Sequence, residues 1–123
     1  MKADTPTPKP IDWLGSSRDD LREFPKKVRR EIGLALMEAQ DGGKLPNVKP
    51  LKGFGGAGVL EVVENYDGDA YRAVYTVKFA ELIYVLHVFQ KKSKQGIATP
   101  KAIIDLIRQR LKEAEKDYKG EKR

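Results

Sequence analysis

The sequence lacks several residue types on which common protein chemistries depend. None of its 123 residues is cysteine, which excludes a disulfide scaffold, a cysteine nucleophile, a zinc-finger cage and an iron–sulfur site. The single histidine, His87, excludes a metal site built from several histidines. No run is long and apolar enough to span a bilayer, and the polar, proline-rich residues 1–10 do not resemble a signal peptide. We therefore expect a cytoplasmic protein that needs no metal and no cofactor.

The residues that are present fit a single basic domain. A hydrophobic content of 40% is enough for one packed core at this length. Lys and Arg number 24 against 18 Asp and Glu, which gives a net charge of +6. Residues 85–101 contain Lys91, Lys92, Lys94 and Lys101 and no acidic residue. Such a cluster indicates either an anionic partner or a solvated run of lysines at the end of a strand.

The first half of the chain has the pattern of a strand followed by two helices. Residues 9–14 alternate weakly and can form an edge strand. Ser16 or Ser17 can cap a short helix that ends at Phe24, and Pro25 can begin a second helix that Gly42 and Gly43 end. The second helix has apolar residues at three- and four-residue spacing, namely Val28, Ile32, Ala35, Leu36 and Ala39.

The second half predicts a three-strand meander. Residues 44–58 are rich in turn-forming residues and predict a loop. Residues 59–66 and 71–79 have the composition of strands, and the Asp-Gly-Asp at 67–69 between them predicts a hairpin turn. Residues 82–90 are apolar on both faces, as expected of a central strand that is covered on both sides.

A final helix completes an α+β fold. Thr99 and Pro100 can begin this helix. Its core stripe is Ile103, Ile104, Ile107, Leu111, Ala114 and Tyr118. We expect an N-terminal strand, a helical hairpin packed on one face of a mainly antiparallel sheet, and a C-terminal helix. Residues 10–118 would form the domain, with a flexible arm at 1–9 and a flexible tail at 119–123.

The turn between the last two strands decides which side chains share a face. A two-residue turn at Ala80 and Glu81 pairs Phe79 with Leu82, and directly opposed residues share a face. One face then carries Arg72, His87, Phe89 and Lys91. The other face, against the helices, carries Tyr71, Tyr75, Tyr84 and Leu86. A register change of one residue would replace His87 and Lys91 by Leu86, Gln90 and Lys92.

Arginine, histidine and lysine without a carboxylate pair, a serine motif or a metal set suit phosphate binding. Cations stabilise the negative charge of a phosphoryl transition state, and His87 can transfer protons near neutral pH. Phe89 or Tyr75 can stack on a base. These groups fit metal-independent RNA cleavage, in which the ribose 2′-hydroxyl attacks its own phosphate.

Each of these residues also has a structural role open to it. Arg72 can pair with a carboxylate of the neighbouring strand, Glu61 or Glu64. His87 can be a hydrogen-bonded core histidine, and Lys52 can be an ordinary loop lysine. The residues alone therefore predict a basic α+β domain with RNA as a possible ligand, and they do not establish catalysis.

Several short segments between residues 9 and 115 carry a family resemblance. They are Leu51-Lys52-Gly53, Leu60-Glu61, Tyr71-Arg72, the LHVFQKKS segment of residues 86–93, and Thr99-Pro100. Together they resemble the phage Gp49-like branch of the RelE/ParE toxin superfamily, which is related to the HigB toxins. The FQKKS part of residues 89–93 is the most specific of these segments.

The resemblance implies a RelE-like toxin of a type II toxin–antitoxin pair, an endoribonuclease that cuts messenger RNA on the ribosome without a metal. At the matching positions, Arg72, Lys91 and Lys92 would bind and polarise the scissile phosphate, and His87 would transfer a proton. The RNA-binding surface would add Lys52, Lys94 and Phe89. Tyr118 lies far along the last helix, so no tyrosine just past the final strand supplies the acid.

The resemblance also implies a partner. This would be a small antitoxin of the helix-turn-helix type, through which alone the pair contacts operator DNA; no membrane is involved. Two alternatives on the same fold are a ParE-like inhibitor of DNA gyrase and an RNA-binding module without catalysis.

Overall fold

A computed structural model describes residues 8–56, 58–91 and 99–122 of the chain. The helices and strands follow the predicted order, with one additional strand, and confirm the α+β class. In sequence they are β1 (Ile11–Trp13), α1 (Ser17–Arg22), α2 (Lys26–Gln40), β2 (Val48–Pro50), β3 (Val59–Tyr66), β4 (Asp69–Thr76), β5 (Ile83–Lys91) and α3 (Lys101–Lys122). None of the described helices has the length and apolar character needed to cross a membrane.

All five strands form one sheet in the order β1-β5-β4-β3-β2. Strand β1 is parallel to β5, and the other three pairings are antiparallel, so the prediction of a mainly antiparallel sheet is confirmed. The prediction that residues 44–58 form only a loop is wrong, because residues 48–50 pair with β3. A strand of three residues is too short to display alternation, so its sequence carries no strand signal.

Helix α2 covers one face of the sheet. Its predicted apolar stripe is confirmed, because all five residues of the stripe are buried. They pack against alternate residues of the strands, which include Val62, Ala73, Tyr75, Val85 and Val88. Pro25 lies one position earlier than predicted, at the N-cap, and the helix begins at Lys26.

Helix α3 covers part of the opposite face. Its predicted stripe is confirmed, and it packs against Val74, Tyr84 and Leu86, among others. Tyr84 donates a hydrogen bond to Asp117 at 2.6 Å, and Tyr118 donates one to Glu81 at 2.9 Å. These contacts bring the C-terminal part of α3 to the start of β5, so the two elements run in opposite directions. The limits of the domain and of its flexible ends stay predictions.

The hairpin between β3 and β4 has the predicted turn. Tyr66 pairs with Asp69, and the two residues between them have positive φ angles, 52° at Asp67 and 85° at Gly68. Positive φ at both positions is the geometry of a type I′ turn, for which the Asp-Gly sequence is favourable.

The connection between β4 and β5 differs from the two-residue turn that the sequence predicts. Strand β4 ends at Thr76 and β5 begins at Ile83, so residues 77–82 form a longer loop. Val74 pairs with His87, whereas Tyr75 pairs with Val85, which leaves Leu86 as the extra residue of a β-bulge.

The bulge explains why half of the predicted register is right. Beyond the bulge, Val74 lies opposite His87 and Arg72 opposite Phe89, as predicted. Before it, Thr76 lies opposite Tyr84, so the prediction that Tyr84 and Leu86 face the helical hairpin is wrong. Both side chains lie in the cluster under α3 instead.

Candidate nucleic-acid interface

Charged residues of four adjacent strands lie on the α3 side of the sheet, outside the apolar cluster under that helix. Val48, Val62 and Val88 belong to the α2 side, so by alternation their neighbours on the same strands face the other way. We call the resulting group the cationic cluster: Lys49 of β2, Glu61 of β3, Arg72 of β4 and Lys91 of β5. From β2 to β5 it spans three strand spacings, about 14 Å.

Arg72 and Glu61 form the buried centre of the cationic cluster. The Arg72 Nε atom lies 3.6 Å from Glu61 Oε1, and the two side chains are only 15% and 9% exposed. Arg72 also donates a hydrogen bond from Nη1 to the carbonyl oxygen of Tyr71 at 3.1 Å. The predicted alternative of an Arg72 ion pair is therefore confirmed for Glu61, whereas Glu64 accepts a bond from Asn47 at 3.5 Å.

The surroundings of Lys91 in the cationic cluster lower the pKa of its side chain. Burial lowers the pKa of its ammonium group, the cations of Arg72 and Lys49 lower it further, and Glu61 opposes them. Three cations thus lie near one buried carboxylate, Glu61, which is ion-paired with Arg72. An anionic ligand with several oxygens, such as a phosphate, would relieve this repulsion.

His87 and Phe89 stand beside the cationic cluster on β5. Their rings stack with centroids 5.1 Å apart and an interplanar angle of 18°. The Nδ1 atom of His87 lies 3.1 Å from an Nη1 atom of Arg110 on α3. Burial lowers the pKa of His87, Arg110 lowers it further, and Asp20 of α1 acts in the opposite direction. The imidazole is therefore neutral at pH 7.

The structure brings together four of the residues that the sequence singled out. Arg72, His87, Phe89 and Lys91 share one face of the sheet, as predicted. Their predicted roles stay predictions. Lys92 and Lys94 lie outside the described residues.

Lys52 and Tyr75 have different positions from these four. Lys52 is exposed in a loop that Leu51 and Phe54 anchor under α3. Tyr75 is fully buried on the α2 side, where burial raises the pKa of its hydroxyl to about 12. The prediction that Tyr75 can stack on a nucleic-acid base is therefore wrong, because no part of its ring reaches solvent.

Sequence reasoning missed Lys49 and Arg110. The short strand β2 gave no periodic signal that would have placed Lys49 on the charged face. Arg110 had a signal, because it falls at helical spacing between Ile107 and Ala114, inside an otherwise apolar stripe. A cation at such a position needs a polar partner on the facing element, and β5 supplies it.

The cationic cluster is suited to anions rather than metal ions. Over residues 8–56, 58–91 and 99–122, no group of three His, Asp or Glu side chains could hold a metal ion. Cations on adjacent strands and a flanking aromatic ring match the surfaces that bind single-stranded nucleic acid.

Comparison with known proteins places the chain in a family. The family described as phage-derived Gp49-like proteins matches residues 19–112. The chain belongs to this Gp49-like family. The matched range includes the whole cationic cluster together with His87 and Arg110, and the resemblance predicted from the sequence is confirmed.

Comparisons with individual proteins give weaker similarities than the family comparison does. No curated protein matches this Gp49-like chain. Among solved structures, a chain of the toxin–antitoxin complex RelBE2 of Mycobacterium tuberculosis aligns with a TM-score of 0.48 and 19% identity. The alignment covers 69% of this chain and 100% of that chain.

Proposed function

We propose that this protein is the toxin of a type II toxin–antitoxin system and acts as a metal-independent, ribosome-dependent messenger RNA endoribonuclease. One structural observation supports the nuclease in particular. Glu61, a buried carboxylate, forms an ion pair with Arg72, acts electrostatically on Lys91 and lies opposite Lys49 on the neighbouring strand, beside a neutral histidine. Family membership supports the toxin assignment, because the Gp49-like resemblance implied it.

The cationic cluster has the groups that RNA cleavage requires at phosphorus. The ribose 2′-oxygen attacks the adjacent phosphorus, the bond from phosphorus to O5′ breaks, and a 2′,3′-cyclic phosphate and a 5′-hydroxyl form. Arg72 can hold two phosphate oxygens with its planar guanidinium, and Lys91 adds a point charge. Both interactions strengthen as negative charge builds up on the phosphorane, so they favour the transition state over the ground state.

Two protons have to move in this reaction. The 2′-hydroxyl loses one, and Glu61 is the carboxylate of the cationic cluster that can accept it. The departing O5′ gains one, and Lys91 can donate it from an ammonium group whose pKa is lowered by burial and by Arg72. His87 can donate a hydrogen bond to the phosphate. DNA lacks the attacking hydroxyl, which makes RNA the substrate.

The partners follow from the same proposal. An antitoxin, small and of the helix-turn-helix type, would neutralise the basic face or distort it. Operator DNA would be contacted through that antitoxin. The ribosome would present the message in an extended, single-stranded form, in which a base can stack on Phe89, whose ring is only partly buried.

Induced expression without an antitoxin tests the proposal. We expect growth arrest together with discrete cuts inside translated regions, mapped by primer extension. Arg72→Ala should reduce cleavage by about 10²–10³-fold, the usual effect of losing one transition-state donor. Arg29→Ala is the matched control, because it removes the same charge from an exposed position on α2, across the sheet.

The other outcomes are equally informative. Wild-type cleavage by Arg72→Ala would show that the site is assigned wrongly. Arrest with a DNA-damage response and no cuts would indicate a gyrase inhibitor. Salt-sensitive RNA binding without arrest or cuts would leave a binding module.

A further inference from the structure

Arg110 makes two contacts with neighbouring residues of β5. Its Nη1 atom donates a hydrogen bond to the carbonyl oxygen of Leu86 at 2.9 Å and lies 3.1 Å from His87 Nδ1. A guanidinium has only donors, so Nδ1 must be the acceptor of the second contact. The proton of the neutral imidazole is then on Nε2.

The β-bulge makes this double contact possible. Leu86 is the extra residue of the bulge, which bends the strand and re-aims the side chain that follows. Its carbonyl group and the His87 ring therefore meet the same guanidinium. The Phe89 ring, stacked 5.1 Å from His87, restricts rotation of the imidazole.

We propose that Arg110 is a positioning residue that fixes His87 as its Nε2–H tautomer and so presents it as a hydrogen-bond donor. The functional part of this proposal rests on the proposed RNA cleavage, in which a phosphate oxygen accepts that bond. His87 in this state cannot act as a general base, because Nε2 carries the proton and Arg110 occupies the lone pair of Nδ1.

The groups that face His87 come from three elements. Arg110 of α3 disfavours the imidazolium, and Asp20 of α1 favours it. Val74, directly opposite on β4, carries no charge. Removing Arg110 should therefore raise the pKa of His87, since burial alone would then be left against the attraction of Asp20.

NMR can test the tautomer without any assignment problem, because His87 is the only histidine of the full chain. Long-range ¹H–¹⁵N correlation spectra distinguish the two ring nitrogens by their shifts. We expect the wild type to be in the Nε2–H form at neutral pH and to titrate below the ordinary midpoint of about 6.5. Arg110→Met should raise the midpoint and allow the two tautomers to exchange.

Arg108→Met is the matched control. Arg108 lies two residues earlier on the same helix, and its guanidinium carbon is 4.7 Å from the centre of the Phe54 ring. The same substitution there should leave the tautomer and the midpoint of His87 unchanged. An Nδ1–H tautomer in the wild type, or an unchanged midpoint in Arg110→Met, would overturn the proposal.

A conservative variant covers the case in which Arg110→Met does not fold. Arg110→Lys keeps a cation near the ring but loses the forked donor geometry. We expect its midpoint to rise less than in the methionine variant, together with loss of the fixed tautomer. A lysine variant that keeps the single Nε2–H form would contradict a specific role for the guanidinium.

The pH dependence of cleavage separates positioning from a general structural loss. Protonation leaves the Nε2–H donor in place and adds a positive charge to it, so a limb of the pH–rate profile that reports His87 reflects this charge. In Arg110→Met, that limb should move to higher pH by the same amount as the NMR midpoint. A structural loss alone would lower the rate at every pH without moving that limb, which would overturn the functional part. If the wild type does not cleave RNA, the proposed function fails, whereas the NMR result still decides the tautomer.

Discussion

The face of the sheet under α2 and the face under α3 are built from alternate residues of the same strands. Each has an apolar cluster, but the α3 face also carries the buried ion pair of Arg72 and Glu61. Under α2, each long strand contributes apolar side chains, such as Val62, Ala73 and Val85, which are all fully buried. Under α3, the apolar cluster gives way to the ion pair of Arg72 and Glu61. The α2 side of the sheet is therefore an apolar core, whereas the α3 side is partly apolar and partly charged.

The charged half of the α3 face is expected to add less stability than an apolar core of the same size would. Removing two charges from water costs more than their mutual attraction commonly returns, and apolar residues of similar size are often as stabilising or more so. Lys91 makes the arrangement less favourable, because burial first and then the cations of Arg72 and Lys49 disfavour its charged form. Groups with perturbed pKa values, here Lys91 and His87 of β5, are often found at functional sites.

The largest effect should come from the α2 face. Ile32 is fully buried there, and Ile32→Ala should reduce the free energy of unfolding by about 2–5 kcal/mol, measured by urea denaturation. Leu34 lies on the same helix but is 43% exposed, so Leu34→Ala should change it by less than about 0.5 kcal/mol. Equal losses in the two variants would contradict the assignment of α2's inner face.

A smaller effect is expected from the charged half. Glu61→Gln should reduce the free energy of unfolding by about 1–3 kcal/mol, because Arg72, Lys91 and Lys49 then lose their shared counter-charge. Added salt should restore part of the loss by screening the cations. Glu64→Gln, a control on the same strand, keeps an oxygen that can accept the bond from Asn47 and should have little effect. A Glu61→Gln variant more stable than the wild type would show that desolvation of the carboxylate outweighs the repulsion.

The smallest effect concerns pH. Burial and Arg110 lower the pKa of His87 in the folded protein, so below about 6.5 the unfolded chain binds more protons than the native state. This difference destabilises the fold as the pH falls through that value and has no effect above about pH 7.5. Urea denaturation at pH 7.5 and at pH 5.5 measures how much the free energy of unfolding falls between the two. This decrease should be smaller for His87→Gln than for the wild type. A larger loss in the variant would mean that Asp20 outweighs Arg110.

Much of the fold could be predicted because it depends on local periodicity. The stripes of α2 and α3 are repeats within one helix, and the turn at Asp67 and Gly68 needs only two residues that tolerate positive φ. Strand β3 was predicted with its observed bounds, Val59–Tyr66. These features are decided within ten or twenty residues of chain.

The candidate site could be predicted only in part. Arg72, His87, Phe89 and Lys91 were placed together through a two-residue turn that does not exist, and the pairing is right because the bulge at Leu86 offsets the longer loop. Residues 84 and 85 precede the bulge and pair one residue away from the predicted register, so Tyr84 was placed on the wrong face. A bulge has no reliable sequence pattern, since it depends on how two strands pack under a helix.

The sequence by itself determined the helices, the long strands and a concentration of positive charge near residue 91, because propensity and spacing act locally. Only the tertiary structure decided which charges meet. Lys49 joins Arg72 and Lys91 through a three-residue strand, and Arg110 reaches His87 across 23 positions of the chain. Such contacts depend on the relative placement of whole elements, and that placement is fixed by the packing of both faces of the sheet at once.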